Sequence, residues 1–273
     1  MFRIQPGRGT ITRTPVPELR SSGPVSFVVG PEGAVVRPLD HVPGYRVPDG
    51  KPARRLHGLL SRGGLAFPGP RPGTVWVVSG DADHAALVLA GPRGRRAGAR
   101  VPVCSWPLAA AGDGAVVLRC AHGGYLAGAD GMRKVTPGAV LATGPTKLVT
   151  RSCLGAGCSA FVHDRRAGRK HRIQVPGNAA SFLPGKVSPD GSQAAISDTP
   201  TRLLQLVDLA TGAVTGTGLR LPGRPGVLAW SPGGRWLFAV TDSGRLAAVD
   251  MRSGSTDVLG RAPDHVLQIA VRR

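Results

Sequence analysis

Val187-Ser-Pro-Asp-Gly-Ser-Gln-Ala-Ala-Ile-Ser197, followed by Leu206-Val-Asp-Leu-Ala-Thr-Gly212, recurs further along the chain. The second copy reads Trp230-Ser-Pro-Gly-Gly-Arg-Trp-Leu-Phe-Ala-Val240 and then Ala248-Val-Asp-Met-Arg-Ser-Gly254. Ser188 and Ser231 are 43 positions apart, and Asp208 and Asp250 are 42 apart. A fainter copy of the second half, Val162-His-Asp-Arg-Arg-Ala-Gly168, places Asp164 44 positions before Asp208. Ser-Pro-(Asp/Gly)-Gly is a tight turn, in which Pro fixes φ and Gly supplies positive φ. Asp-x-x-(Ser/Thr/Ala)-Gly is a second hairpin turn, with the Asp carboxylate bonded to the backbone and Gly in the left-handed position. Two hairpins in about 40 residues predict a four-stranded antiparallel sheet, the blade of a β-propeller.

Outward from this repeat, short apolar runs separated by Gly, Pro, Asp or Ser continue in both directions. Examples are Val25–Val29, Val75–Val78, Ala85–Leu89, Ala115–Leu118 and Val266–Val271. Such runs predict an all-β chain. Blades are expected near 21–56, 57–103, 104–137, 138–176, 177–222 and 223–261. That makes a six-bladed β-propeller, with seven as the alternative count, over 21–273 after an irregular segment 1–20. The first blade reads one strand short. The strand His265–Val271 has no blade of its own, so it is expected to pair into the first and close the ring. The two Ser-Pro-x-Gly copies resemble the WD40-like repeat of TolB-type β-propellers, whose turn reads Ser-Pro-Asp-Gly. The first copy keeps all four residues, and Gly233 replaces Asp in the second. Clear resemblance covers about 177–260. It implies a scaffold that docks other macromolecules, often in the cell envelope.

Of 273 residues, 41% are hydrophobic and 4% aromatic, so Val, Leu and Ala must build the core. With 40 Gly and 25 Pro, long helices are excluded as the main architecture. The 35 Lys and Arg against 16 Asp and Glu leave a net charge of +19, which favours anionic partners. Arg outnumbers Lys heavily, and Glu18 and Glu32 are the only glutamates, a bias expected of a high-GC bacterium. No apolar run approaches the roughly 18 residues of a membrane-spanning helix, and the start has no apolar signal-peptide core.

Four cysteines carry the first chemical expectation. Cys153 and Cys158 flank Leu-Gly-Ala-Gly, and Cys104 and Cys120 fall in neighbouring predicted strands. Two local disulfides place the chain in an oxidising, extracytoplasmic or membrane-associated compartment. Free thiols and a genuine start would make it cytoplasmic. The rival zinc set Cys153, Cys158, His163 and His171 lacks a standard spacing. Two basic clusters are candidate anion-binding sites. Arg93, Arg95, Arg96 and Arg100 surround one turn; Arg165, Arg166, Arg169, Lys170 and Arg172 surround another, beside His171. Neither contains an aromatic residue to stack on a base, which argues against sequence-specific nucleic-acid readout.

No catalytic set emerges. Two glutamates in the least repetitive part do not suggest a paired-carboxylate glycosidase. A Gly-x-Ser-x-Gly elbow and a phosphate-binding Gly-x-x-x-x-Gly-Lys-(Ser/Thr) loop are both missing from the sequence. Asp81, Asp83 and His84 could hold a divalent ion but read as a hairpin loop. Trp76, Trp106, Trp230 and Trp236 read as packing residues between blades. The expectation is a monomeric, non-catalytic binding module that uses no cofactor or metal and docks a protein or an anionic polymer. An enzyme with an axial site, hydrolase or lyase, is the alternative, and a basic nucleic-acid binder is the third reading.

Overall fold

The computed structural model describes residues 2–5, 10–17, 25–30, 33–38, 43–60, 64–80, 84–105, 107–154, 157–174, 185–198, 200–223, 227–261 and 269–271. Among these there is no α-helix; a single 3-10 turn spans Gly58–Leu60. The N-terminal segment, expected to be irregular, holds an antiparallel hairpin of β1 (Phe2–Gln5) and β2 (Thr10–Arg13).

The first sheet is a meander of β3 (Val25–Gly30), β4 (Gly33–Pro38), β5 (Tyr45–Pro48) and β6 (Arg54–Arg55). The second holds β7 (Ala66–Pro68), β8 (Val75–Ser79), β9 (Ala86–Ala90) and β10 (Arg96–Pro102). The third holds β11 (Pro107–Ala110), β12 (Val116–Cys120), β13 (Gly123–Gly128) and β14 (Gly131–Thr136). Next come β15 (Ala139–Thr143), β16 (Lys147–Leu154), β17 (Gly157–Asp164) and β18 (Lys170–Ile173). They share one eight-stranded sheet with β19 (Gly185–Val187), β20 (Gln193–Ser197), β21 (Leu203–Asp208) and β22 (Val214–Arg220). The last sheet holds β23 (Leu228–Trp230), β24 (Trp236–Val240), β25 (Arg245–Asp250) and β26 (Thr256–Arg261).

Two expectations are corrected. Six or seven separate blades are not present: four four-stranded sheets stand alone, and the strands of 139–173 and 185–220 are continuous. The joint is a short parallel pairing of Ala142 with Gly185 and Thr143 with Lys186. The repeat in sequence marks the meanders of 185–220 and 228–261, but it carries no signal for whether two first strands pair where they meet. The first blade is the second correction: it is not a strand short, while the expected closing strand lies mostly outside the described residues. Residues 265–268 lie outside the described residues, and 269–271 are not strand. Ile269 packs beside Leu228 and Leu237 near the last sheet, and β6 gives the first sheet its own fourth strand.

First strands meet one another at the centre: β3 touches β7, β7 touches β11, β15 pairs with β19, and β19 touches β23. Fourth strands therefore form the outside, and the two ends of the eight-stranded sheet are β18 and β22. The core is a series of apolar layers between successive meanders. Val28 and Leu60 meet Val77 and Val88, and Trp76 and Leu87 meet Val116 and Leu118. Val117 and Leu126 meet Val140 and Leu148. Val149 and Val162 meet Val187 and Ile196, and Leu204 meets Leu237 and Val249.

Buried polar atoms inside these layers bond across them. Ser26 Oγ donates to the Ala66 carbonyl and accepts from its N–H, both at 3.0 Å. Trp76 Nε1 donates to Gly114 O at 2.6 Å, Thr143 Oγ1 to Ala110 O at 2.9 Å, and Trp230 Nε1 to Lys186 O at 3.2 Å. Arg37, almost fully buried, donates from Nη1 to Leu65 O at 2.9 Å, and burial pushes its pKa down to about 10. A buried polar group left without a partner costs roughly 1–3 kcal/mol, so each bond also fixes how neighbouring layers are seated.

Candidate anion-binding edge

Both kinds of turn in the repeat unit are built as the repeat predicts. Gly191 N and Gly234 N donate to Ser188 O and Ser231 O, both at 2.9 Å, with φ of 76° and 71° at the two glycines. Ser188 Oγ accepts from Gln193 N, and Ser231 Oγ accepts from Trp236 N, both at 3.0 Å. At the second turn, Asp164 Oδ1 accepts from Arg166 N and Ala167 N, and Asp208 Oδ1 accepts from Ala210 N and Thr211 N. Asp250 Oδ1 accepts from Arg252 N. These donors hold the Asp164 and Asp208 carboxyls below the usual carboxylate range, and the Arg235 guanidinium does so first at Asp250. Each is thus ionised at neutral pH and committed to its own turn or to Arg235.

Both predicted basic clusters lie at the connection from third to fourth strand and run on into the outer strand. Arg93, Arg95, Arg96 and Arg100 are exposed, as are Arg166, Arg169, Lys170 and Arg172. Arg165 differs: its side chain is only 10% exposed and is ion-paired with Asp113 across the third and eight-stranded sheets. It serves as a link between sheets and is unavailable to an outside anion. Lys170 Nζ lies 4.0 Å from the centre of the Phe161 ring.

The two clusters do not touch, since the third sheet stands between them. Its outer strand β14 is in contact with β10 on one side and β16 on the other, and exposes Arg133 and Lys134. Sequence reading missed these two because they form no run. Their signal was position, in the fourth strand of a repeat unit. Taken together, the six outer strands expose Arg54, Arg55, Arg96, Arg100, Arg133, Lys134, Lys170, Arg172, Arg220 and Arg261. Asp257 is the one acidic residue on them. The ion pairs of Arg165 with Asp113 and Arg235 with Asp250 use none of the ten. Cationic edges block edge-to-edge strand pairing, and they leave a positive perimeter around the molecule.

The cysteines pair as Cys104–Cys120 and Cys153–Cys158, the latter directly opposite each other on β16 and β17. Both thiols of the zinc alternative are therefore consumed. His163 Nε2 bonds Thr150 Oγ1 at 2.8 Å, His171 Nε2 bonds Leu209 O at 2.9 Å, and no metal-binding cluster occurs among the described residues. Asp81, Asp83, Trp106, Glu18 and Glu32 lie outside the described residues. Trp76 is core as expected, at 1% exposure, and Trp230 and Trp236 are half-buried. On the described first strands at the centre, Lys186 is the only charged side chain, and burial lowers its pKa.

Burial, then the nearby Lys170 ammonium, lowers the His163 pKa from its ordinary 6.5. The unfolded chain then binds the extra proton more readily. Stability should be full above about pH 6.5 and fall as pH drops through that value towards the folded pKa. Melting midpoints between pH 8 and 5 should show this slope, and His163→Gln should remove it; an unchanged slope in the variant would show that the histidine is not its source.

No family model matches the chain, and no curated protein matches it. Solved structures do. Virginiamycin B lyase from Staphylococcus aureus superposes with a TM-score of 0.63 at 9% identity, over 93% of this chain and 90% of that one. Kluyveromyces lactis Hsv2 gives 0.58 at 13% identity, over 91% and 78%. TolB from Acinetobacter baumannii gives 0.51 at 17% identity, over 86% and 63%. The fold is a β-propeller. The propeller is thus shared with a lyase and with TolB, and at these identities the likeness extends to architecture alone.

Proposed function

We propose that this propeller is a non-catalytic binding module of an oxidising, extracytoplasmic compartment, and that its outer edge holds an anionic polymer. The observation that carries the reading is the perimeter of ten exposed cations against one carboxylate. A flexible polyanion gains counterion-release entropy by lying along such an edge, without needing a shaped pocket. No Phe, Tyr or Trp interrupts either basic run, and Phe161 beside the second is covered by Lys170, which favours a polymer read by charge over a nucleic acid read by base. The paired cysteines support the compartment, since cytosolic thiols are normally kept reduced. The first strands support a binding role over an axial active site, because they supply no Asp, Glu or His among the described residues.

Titration with long-chain polyphosphate at several salt concentrations tests the function. Binding should weaken steeply with salt, with a log–log slope of several units. Absent or salt-insensitive binding would overturn it. Alkylation in living cells followed by intact mass tests the compartment. Labels should appear only after reduction; four labels without reduction would place the protein among reduced thiols.

A further inference from the structure

We propose that the pocket bounded by Ser243, Arg245, Val258, Gly260 and Arg261 binds a phosphate monoester. The site shares Arg261 with the polymer-binding edge, but it rests on the pairing of that residue with Arg245, which is not among the ten edge cations. Arg245 opens β25 and Arg261 ends β26, and the antiparallel register sets them directly opposite each other. Side chains so placed have Cβ atoms about 4.5–5.5 Å apart, and like charges there oppose folding. Neither guanidinium pairs with a carboxylate among the described residues. Asp250, on the same sheet, is occupied by Arg235, and Asp257 faces Ala248 further along the ladder. Among the described residues the two like charges thus stand in register with no carboxylate ion-paired to either.

The backbone leaves room for a ligand between them. Gly260 opposes Leu246 while Val258 opposes Ala247, so Leu259 is the extra residue of a bulge. Gly260 sits at φ +143°, and a Cβ built there meets nothing within 4 Å. The result is a wide-open surface recess bounded by these five residues. Its floor is ordered by a compact turn. Thr241 Oγ1 accepts from Arg245 N at 3.0 Å and shares a hydrogen bond with Ser243 Oγ at 2.9 Å. Both arginines therefore project from hydrogen-bonded strands, and a hydroxyl lies at the same rim.

Charge and shape select the ligand class. Two guanidiniums present two positive charges and a set of planar N–H forks that match the oxygens of a phosphoryl group. A phosphate monoester carries close to two negative charges at neutral pH and neutralises the pair, whereas a single carboxylate leaves one cation uncompensated. Val258, 52% exposed at the pocket wall, offers an apolar contact to the carbon side of the ester.

Glycerol 3-phosphate, inorganic phosphate and acetate are the probes, each titrated into isotope-labelled full-length protein and followed by amide shifts. Glycerol 3-phosphate should saturate, with shifts concentrated at 243–245 and 258–261, and should bind several-fold more tightly than inorganic phosphate. Acetate should bind at least tenfold more weakly. Arg245→Gln and Arg261→Gln should each weaken glycerol 3-phosphate tenfold or more. Both variants should melt at or above the wild-type temperature without ligand, because the opposed charges are relieved, and should lose the ligand-induced rise seen in the wild type. No saturation by 10 mM, equal binding of acetate, inorganic phosphate bound as tightly as the ester, or full affinity in either variant would each overturn the site.

Discussion

Trp76→Ala should destabilise the protein by about 3–5 kcal/mol, the range for truncating a buried large aromatic. The indole is 1% exposed, in the layer where Val78, Leu87 and Leu89 meet Val116 and Leu118. Its loss opens a cavity between two sheets that otherwise touch mainly through side chains. It also removes the donor to Gly114 O and leaves a carbonyl beside a newly exposed gap. Trp76→Phe keeps most of the apolar contact and removes the hydrogen bond, so it should cost less than half as much. Urea denaturation followed by far-ultraviolet dichroism reads both. A cost below about 1 kcal/mol for Trp76→Ala would show that the layer collapses onto the gap, contrary to the close packing inferred for it.

The combined variant Arg96→Gln, Arg133→Gln, Lys134→Gln and Arg172→Gln should weaken polyphosphate binding by roughly 10²–10³-fold at low salt. The salt slope should fall by about 3–4 units if all four side chains touch the polymer, at close to one unit per contact. The four lie on β10, β14 and β18, so they sample the perimeter and not one turn. All are exposed and outside the ion pairs described, so the melting temperature should stay within a few degrees of the wild type. Restoring Arg133 and Lys134 alone should recover part of the slope, because they lie between the two sequence clusters. Unaltered binding in the quadruple variant would detach the positive perimeter from function and leave it as protection against edge pairing.

Much of the fold was legible along the chain because its turns are local. Ser188 with Gly191 and Gln193, and Asp208 with Gly212, make their bonds within five residues, so their spacing alone announces a hairpin. The disulfide partners were legible for the same reason, since Cys153 and Cys158 flank one turn and Cys104 and Cys120 are 16 apart. The meanders of 185–220 and 228–261 followed from that regularity, whereas the earlier ones were placed by counting short apolar runs.

What the chain could not announce is everything decided between meanders. The pairing of Thr143 with Lys186 depends on two first strands meeting at the centre, and it turned two expected blades into one sheet. Arg165 sits in the same run as Arg166 and Arg169, yet Asp113, 52 residues earlier, draws it into an ion pair. Arg133 and Lys134 gain their place at the edge only because β14 stands between β10 and β16. Arg245 and Arg261 become neighbours through a bulged ladder that their separation in sequence does not reveal. Local hydrogen bonds are fixed by sequence spacing, whereas layer contacts and surface charge depend on which distant strands the packing of apolar faces brings together.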